Sequence, residues 1–431
     1  MTDAAVWLWG TRVGAVSWDE RRSLGVFQFE PAFVPSGIQI APLTMPLRES
    51  PYEFPALRRE SFYGLPGLVA DSLPDRFGNR LIDEWCARTG RDPERFNPVQ
   101  RLCYIANRGM GALEFEPTIA GAPSSERTLE VAELVELARA VLGERQALAG
   151  SLDGRDDRAA IEDILRVGTS AGGARAKAVL AYNEATGEFR SGQVSADEGF
   201  TYWLIKFDGV SGEGDRDVAE SQGYGAIEYA YALMAQAAGL EMARCRLHIE
   251  GSRRHFMTRR FDRTESGQKL HMTTLAGLAH FDFNDAGAHS YEQGVQVMRR
   301  LHLGVDQLEQ LVLRAYFNVA ARNHDDHVKN IAFLMDRSGQ WRLSPAYDIA
   351  YAYNPRGFWT HQHQMRVNGK ADGFTTDDLL ALAHMAGVKQ PRATALLARV
   401  SAALARWRDF AAEAGVPEDR AAQIQTTFRV F

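Results

Sequence analysis

From Ala5 to about Leu47 the chain alternates short apolar runs, AVWLWG, VGAVSW and LGVFQFE, with polar or glycine-bearing turns. Runs of this length predict an antiparallel meander. The apolar spacing then lengthens. In GLPGLVADSLPDRFGNRLIDEWCARTG, Asp71 and Ser72 precede a proline and an amphipathic run that ends near Gly90, which predicts a capped helix. TLEVAELVELARAVLGERQ carries apolar residues at i, i+3 and i+4 and predicts a second helix, with GSLDGRDDR after it as a loop or linker.

The middle third reads differently. A glycine-rich turn at Gly168 to Gly173 leads into KAVLAYNEATGEFRSGQV, a strand, turn and strand, and then into TYWLIKFDG, a buried strand. AIEYAYALMAQAAGL predicts a helix closed by Gly239, and CRLHIEGSRRHFMTRRFDR a hairpin turning at Gly251. Beyond about Thr264 the period is mostly helical, with one polar interruption between Asn323 and Tyr353. The pattern therefore predicts an α+β chain in three parts: 1–120, β-rich and then helical; 121–262, with the glycine-rich loop and a sheet; and 263–431, an all-helical C-terminal lobe. No internal repeat or low-complexity tract interrupts it.

Composition narrows the class. At 431 residues, 45% hydrophobic and 24% charged, the chain reads as folded and globular rather than disordered, collagenous or coiled-coil. Lysine and arginine total 49 against 55 acidic residues, a formal charge of -6, which disfavours a generally basic surface for coating nucleic acid. Cys86, Cys103 and Cys245 are scattered and odd in number, so neither a disulfide framework nor a zinc knuckle is expected. A cytoplasmic protein without a membrane segment is the expectation.

Candidate chemistry concentrates in ARNHDDHVKNIAFL and the following LSPAYDIAYAY. Asp325 and Asn330 are five residues apart, and Asp348 lies 18 beyond Asn330, after the predicted strand WRLS. An aspartate to take a hydroxyl proton, an asparagine carbonyl for one Mg²⁺ and a second aspartate to bridge Mg²⁺ make up the acceptor side of phosphoryl transfer in protein kinases. Two competing readings exist: a polar loop whose aspartates only cap helices, and a hydrolytic metal centre of His324, Asp325, Asp326 and His327. The flanking apolar runs LVLRAYFNVAA and IAFLM favour a loop held by a rigid core. The metal-centre reading lacks an HExxH pattern or a distal ligand set.

A second cluster is GTSAGGARAKAVLAY, where Gly168, Gly172 and Gly173 permit close approach of backbone N–H groups to phosphate. It matches neither GxxxxGK[ST] nor GxGxxG, and a plain hairpin connection is the simpler explanation of glycines alone. Lysines strengthen it: Lys177 follows the loop and Lys206 stands inside the apolar strand YWLIKFDG. A lysine there needs a partner or a route to solvent. A nucleotide phosphate, or an acid such as Glu228 or Glu220, would serve. In this order of parts FMTRRFDR becomes the link between two lobes, where main-chain groups of Arg259 to Phe261 could bind an adenine edge.

These residues also resemble a known family, the HipA-like serine/threonine kinases, toxins of bacterial toxin-antitoxin modules. LPGLVADSLPDRFGNRLI is similar to the family's N-terminal region, GTSAGGARAKAVL to its phosphate loop, RRFDR to its interlobe segment, and DDHVKN with PAYDI to its catalytic and metal motifs. The resemblance implies a kinase-like bilobal fold that uses ATP and Mg²⁺. Asp325 would be the catalytic base and Asn330 and Asp348 the metal ligands. ATP would be held by Ser170, Ala171, Gly172, Gly173, Ala174, Lys206, Arg259, Arg260, Phe261, His327 and Lys329. Ser170, or its neighbour Thr169, would be autophosphorylated, placing negative charge where ATP phosphates sit and switching the kinase off. The implied substrate is a translation-related protein such as an aminoacyl-tRNA synthetase, and the implied partner a HipB-like DNA-binding antitoxin, DNA being reached only through it. Alternatives from other classes are a small-molecule kinase of related fold and a catalytically inactive interaction module. Two departures stand out. Asp326 occupies a position where the family often has glycine, adding negative charge beside Asp325, and MTTLAGL lacks the acidic residues frequent after the interlobe segment.

Overall fold

A computed structural model describes residues 2–119, 129–142, 175–192, 198–210 and 223–431. The chain divides into two compact units. The first comprises Met1–Asp215, Met257–Thr273 and Met335–Gly339; the second comprises Arg216–Phe256, Thr274–Leu334 and Gln340–Phe431.

The first unit opens with the meander that the alternating pattern predicts. Strands β1 (Thr2–Leu8), β2 (Thr11–Asp19) and β3 (Leu24–Phe29) pair antiparallel, and β4 (Leu113–Glu116) closes the other edge in the order β3-β2-β1-β4. The β1–β2 connection is the two residues Trp9 and Gly10, both at positive φ (52° and 82°), the geometry that lets a two-residue turn follow the strand twist.

Helix α1 (Arg76–Arg88) starts three residues later than the sequence suggests. Its N-cap is Asp75, whose carboxylate accepts from Gly78 N at 2.7 Å, not Asp71 or Ser72. Pro74 stands just before the cap, so the helix can only begin beyond it. Asn97 caps α2 (Pro98–Ile105) with a full capping box, and α3 (Val131–Leu142) follows the second predicted helical run.

A second sheet in this unit has β5 (Lys177–Asn183) between β6 (Phe189–Ser191) and β7 (Phe200–Lys206). One face of it, with Ala178, Leu180, Trp203 and Ile205, packs on Phe77 and Leu81 of α1 and on Leu134, Val135 and Ala138 of α3. Register places Lys177 directly across from Lys206, which puts both lysines on the other face. Further along the chain His271 is fully buried, with its Nε2 3.1 Å from the Ile40 carbonyl.

In the second unit α4 (Tyr224–Ala238) ends at Gly239 (φ 91°), as the sequence predicts, and leads to β8 (Cys245–Glu250), which turns at Gly251 into β9 (Arg253–Arg259), whose last three residues belong to the first unit. After a short helical turn at Leu275–Ala279, the longer helices are α5 (Tyr291–Arg300), α6 (Val305–Ala320), α7 (Thr376–Met385), α8 (Gln390–Ala405), α9 (Trp407–Ala414) and α10 (Glu418–Gln425). Tyr231 of α4 meets two of them: its ring contacts Phe317 of α6 and Trp407 of α9 along with Tyr351 and Phe428, and its hydroxyl donates to Ala321 O at 2.7 Å.

Helices dominate this part as expected, yet short strands also occur. Ala332–Met335 runs beside Trp341–Leu343, and His289–Ser290 runs parallel to Met365–Arg366. An apolar run as short as IAFLM has no period of its own, and the turn at Asp336–Gly339 decides in favour of a strand.

Burial holds the His271 imidazole down, to about 4 from its ordinary 6.5, against the opposing pull of the Ile40 carbonyl. The unfolded chain therefore takes up this proton near pH 6.5 and the folded chain only near pH 4. Stability is full above the unfolded value and falls as pH drops through that window, by about 3 kcal/mol from this one residue. Urea unfolding across pH 4–7 should show that slope in the wild type and a flatter one in His271→Gln.

Candidate active site

The loop that carries Asp325 grows from the end of α6, whose last ten residues are all buried. The turn at Arg322 (φ 58°) is fastened from outside: Arg322 Nε donates to Thr427 O at 2.7 Å, and Arg429 N donates to Ala320 O at 2.9 Å. Beyond it the backbone is extended and pairs with a later segment, His324 N donating to Ala352 O (3.1 Å) and Ala352 N to Arg322 O (3.2 Å).

Extended backbone sends successive side chains to opposite sides. His324 and Asp326 point into the interior, at 0% and 3% exposure, while the Asp325 side chain is 51% exposed. Among the described residues no group of three or more histidine, cysteine or acidic side chains is arranged to hold a metal, so the hydrolytic-centre reading is not supported. Asp326 also adds no exposed charge beside Asp325, contrary to the sequence expectation. Its Oδ2 accepts from the Tyr291 hydroxyl (3.0 Å) and faces His363 Nδ1 (3.0 Å), and its Oδ1 accepts from Gln364 N (2.9 Å). The network continues inward: Asn318 Nδ2 donates to the Tyr291 hydroxyl (2.9 Å) and Asn323 Nδ2 to Asn318 Oδ1 (3.0 Å). The His324 ring lies 4.1 Å from that of His363, tilted by 38°, and burial, reinforced by that neighbour, drives its pKa far down.

On the exposed side the loop closes in a tight 3₁₀ turn, Val328–Asn330. Asn330 Nδ2 donates to the Asp325 carbonyl at 2.8 Å and Asn330 N to His327 O at 2.8 Å. Asn330 therefore spends its amide nitrogen on the backbone of the residue it is spaced from, which leaves its oxygen as the end available to a cation. His327 Nε2 stands 3.8 Å from Asp325 Oδ1, too far for a hydrogen bond. Lys329 lies with Nζ 4.3 Å over the Phe283 ring, and Tyr347 donates to the Lys329 carbonyl at 2.5 Å. Asp348 sits at φ 56° just after the strand Trp341–Leu343, in the left-handed region that an aspartate tolerates better than most residues. Ala346 N donates to Glu241 O at 2.6 Å and the Arg314 guanidinium to Ser344 O, so that strand exit is held on two sides.

Lys206 and Arg259 to Phe261, expected to meet the nucleotide, lie in the first unit. Lys206 is buried at 9% exposure; Lys177, across from it, is 3.1 Å from Asp75 Oδ2, so one carboxylate both caps α1 and pairs with a lysine of β5. Arg260 is buried and Arg259 and Phe261 are half-buried. Asp262 beside them is a residue the sequence reading passed over. It is fully buried and accepts from Arg260 Nε (2.9 Å), Arg263 Nη1 (2.7 Å) and Gly111 N (2.7 Å). Burial pushes its pKa up, and the two guanidiniums with the Gly111 N–H more than reverse this, holding it well below the usual carboxylate range. The signal for it was present in RRFDR, where one acid stands among three arginines. Ser170, Ala171, Gly172, Gly173 and Ala174, with Thr169 and Glu220, lie outside the described residues.

A sequence profile of the HipA N-terminal domain matches residues 4–116, and one of the HipA-like C-terminal domain matches residues 169–408, more than half of the chain. The chain belongs to the HipA family. Its structure is similar to HipA of Shewanella oneidensis MR-1, solved as a toxin-antitoxin complex with HipB and operator DNA, with a TM-score of 0.69 at 18% identity over 98% of this chain and 95% of that one. A partial likeness to the Helicobacter pylori proinflammatory kinase CtkA covers 52% of this chain and 92% of that one at 11% identity, with a TM-score of only 0.31. A search of curated proteins finds no match. This HipA-family chain thus has the α+β architecture expected of it, and among its described residues no helix is long and apolar enough to cross a membrane.

Asp325 and Asp326 should separate cleanly on mutation. Asp326→Ala strands the Tyr291 hydroxyl, His363 and the Gln364 N–H in the interior and should cost about 3 kcal/mol or more in chemical denaturation. Asp325→Ala, at an exposed position, should cost less than about 1 kcal/mol.

Proposed function

We propose that this protein is an ATP- and Mg²⁺-dependent serine/threonine protein kinase acting as the toxin of a toxin-antitoxin pair. The observation that carries the proposal is the disposition of Asp325 and Asn330. The loop buries Asp326, exposes Asp325, and fixes the Asn330 amide on the Asp325 carbonyl at 2.8 Å. The donor set fits the cation: an amide oxygen from Asn330 and a carboxylate from Asp348 are the hard ligands that Mg²⁺ takes alongside nucleotide phosphates. Bound there, Mg²⁺ would neutralise charge on the transferring phosphoryl group.

The chain's own residues supply the rest. Asp325 accepts the proton of the attacking hydroxyl as its oxygen bonds to phosphorus. Lys206 meets the nucleotide phosphates, and main-chain groups of Arg259 to Phe261, braced by the Asp262 cluster, meet the adenine edge. His327 and Lys329 flank the phosphates on the exposed side of the turn. Phosphate on Ser170 would put negative charge in the phosphate loop and turn the enzyme off.

A HipB-like antitoxin is the proposed partner, because the similar HipA was solved with HipB on operator DNA. With a net charge of -6, this chain would meet DNA only through that partner. A translation-related protein such as an aminoacyl-tRNA synthetase is the proposed substrate, on family resemblance.

Asp325→Ala and Asp348→Ala should each lower phosphate transfer a hundredfold or more; Asp325→Ala should leave the thermal unfolding transition near that of the wild type, whereas Asp348→Ala, which sets an alanine at φ 56°, should cost about 1 kcal/mol of stability. Phosphoproteomics after expression of the wild type beside Asp325→Ala would read the activity and name the substrate together. Undiminished incorporation of label from ATP in both variants would overturn the assignment.

A further inference from the structure

The loop that follows Asp348 carries two aromatic rings in solvent. Phe358 is 74% and Trp359 40% exposed, with their rings edge to face at 5.0 Å. They are the only adjacent pair of large exposed hydrophobic residues among the described residues. The loop is closed on itself: Gly357 N donates to Asn354 O (2.9 Å), Asn354 N to Thr360 O (3.3 Å), and the Gln364 side chain to Trp359 O. His361 Nδ1 lies 2.9 Å from Gly357 O.

Both stems of this loop are built onto the catalytic loop. The incoming stem pairs through Ala352 with Arg322 and His324, and the outgoing stem ends with Gln364 N on Asp326 Oδ1 at 2.9 Å. The exposed rings are thereby held in a fixed relation to Asp325, which lies between those attachment points in sequence.

Charge along this segment has one sign. Between Asp348 and Asp372 the sequence has no acidic residue, while Arg356, Arg366 and Lys370 fall within it. Lys370 is paired with Asp378 at 2.6 Å, whereas Arg356 and Arg366 are exposed and have no carboxylate partner among the described residues. Exposed aromatics beside unpaired arginines are the residue types that anchor protein partners.

We propose that Phe358 and Trp359, with Arg356, form the docking surface for the polypeptide substrate, selecting a large apolar residue and an acidic residue close to the acceptor serine or threonine. This rests on the kinase reading above and specifies its substrate class. The rings would cover the apolar side chain and the guanidinium would meet the acid, holding the acceptor hydroxyl at Asp325.

A positional-scanning library of serine- and threonine-centred peptides, with labelled ATP and Mg²⁺, tests it on the full chain. The wild type should favour a large apolar residue at one flanking position, and an acidic residue at another, by tenfold or more over glycine. In Phe358→Ser/Trp359→Ser the apolar preference should collapse toward one, and Arg356→Glu should turn the acidic preference into a basic one, an outcome that misfolding cannot produce. Labelled peptides without these preferences, or preferences kept in the variants, would overturn the docking proposal and leave the kinase reading standing. So would a wild type that self-associates in sedimentation through the aromatic pair while its peptide profile matches that of the double variant. Absence of label from every peptide, and from the protein itself, would instead overturn the kinase reading and the docking proposal with it.

Discussion

A buried carboxylate must have its oxygens met inside the protein, and the second unit is arranged around meeting those of Asp326. Its donors come from three places: Tyr291 on α5, the imidazole of His363, and the backbone of Gln364. None can move without leaving a charge or a polar hydrogen unpaired, at a cost of several kcal/mol. That requirement ties α5, the Asp325 loop and the segment after the aromatic loop into one piece. Asn318 and Asn323 extend the tie back to α6 and the start of the loop.

The first unit uses the same device twice. Asp262 draws Arg260, Arg263 and Gly111 together, so the interlobe segment is fixed to a turn 151 residues earlier in the chain. Asp75 joins the N-terminus of α1 to Lys177 of β5. In each case one acid gathers cations or backbone N–H groups from distant segments beside residues assigned to nucleotide binding. With its charge thus shared with Asp75, Lys177 can stand opposite Lys206 without two uncompensated ammonium groups meeting across a strand pair.

Much of this was legible in the sequence because it is local. The meander, the Gly239 helix end, the Gly251 hairpin and the Asp325-to-Asn330 spacing each need only a few neighbouring residues to be read, and the structure has each of those elements. Asp75 in place of Asp71 or Ser72 is a near miss of the same kind, decided by where Pro74 forbids helix. The role of Asp326 could not be read, because its partners lie 35 to 38 residues away, and that of Asp262 was legible only in its neighbouring arginines, its tie to Gly111 spanning 151 residues. A sequence shows an aspartate as a charge, and whether that charge faces solvent depends on contacts the pattern does not contain. The glycine-rich loop with Ser170 lies outside the described residues, so its reading stays where the sequence put it.

The pair Asp325 and Asp326 shows how far such contacts reach into function. Two identical side chains, adjacent in sequence, could each in principle serve as a base. Extended backbone at this point forces them to opposite sides, so the burial of one determines the exposure of the other. The alternation runs through the whole motif: His324 in, Asp325 out, Asp326 in, His327 partly out. A glycine in place of Asp326 would leave the direction of Asp325 to other contacts. Here an inward carboxylate with its own set of donors sets it, so the departure from the family pattern that looked like excess charge is the element that aims Asp325.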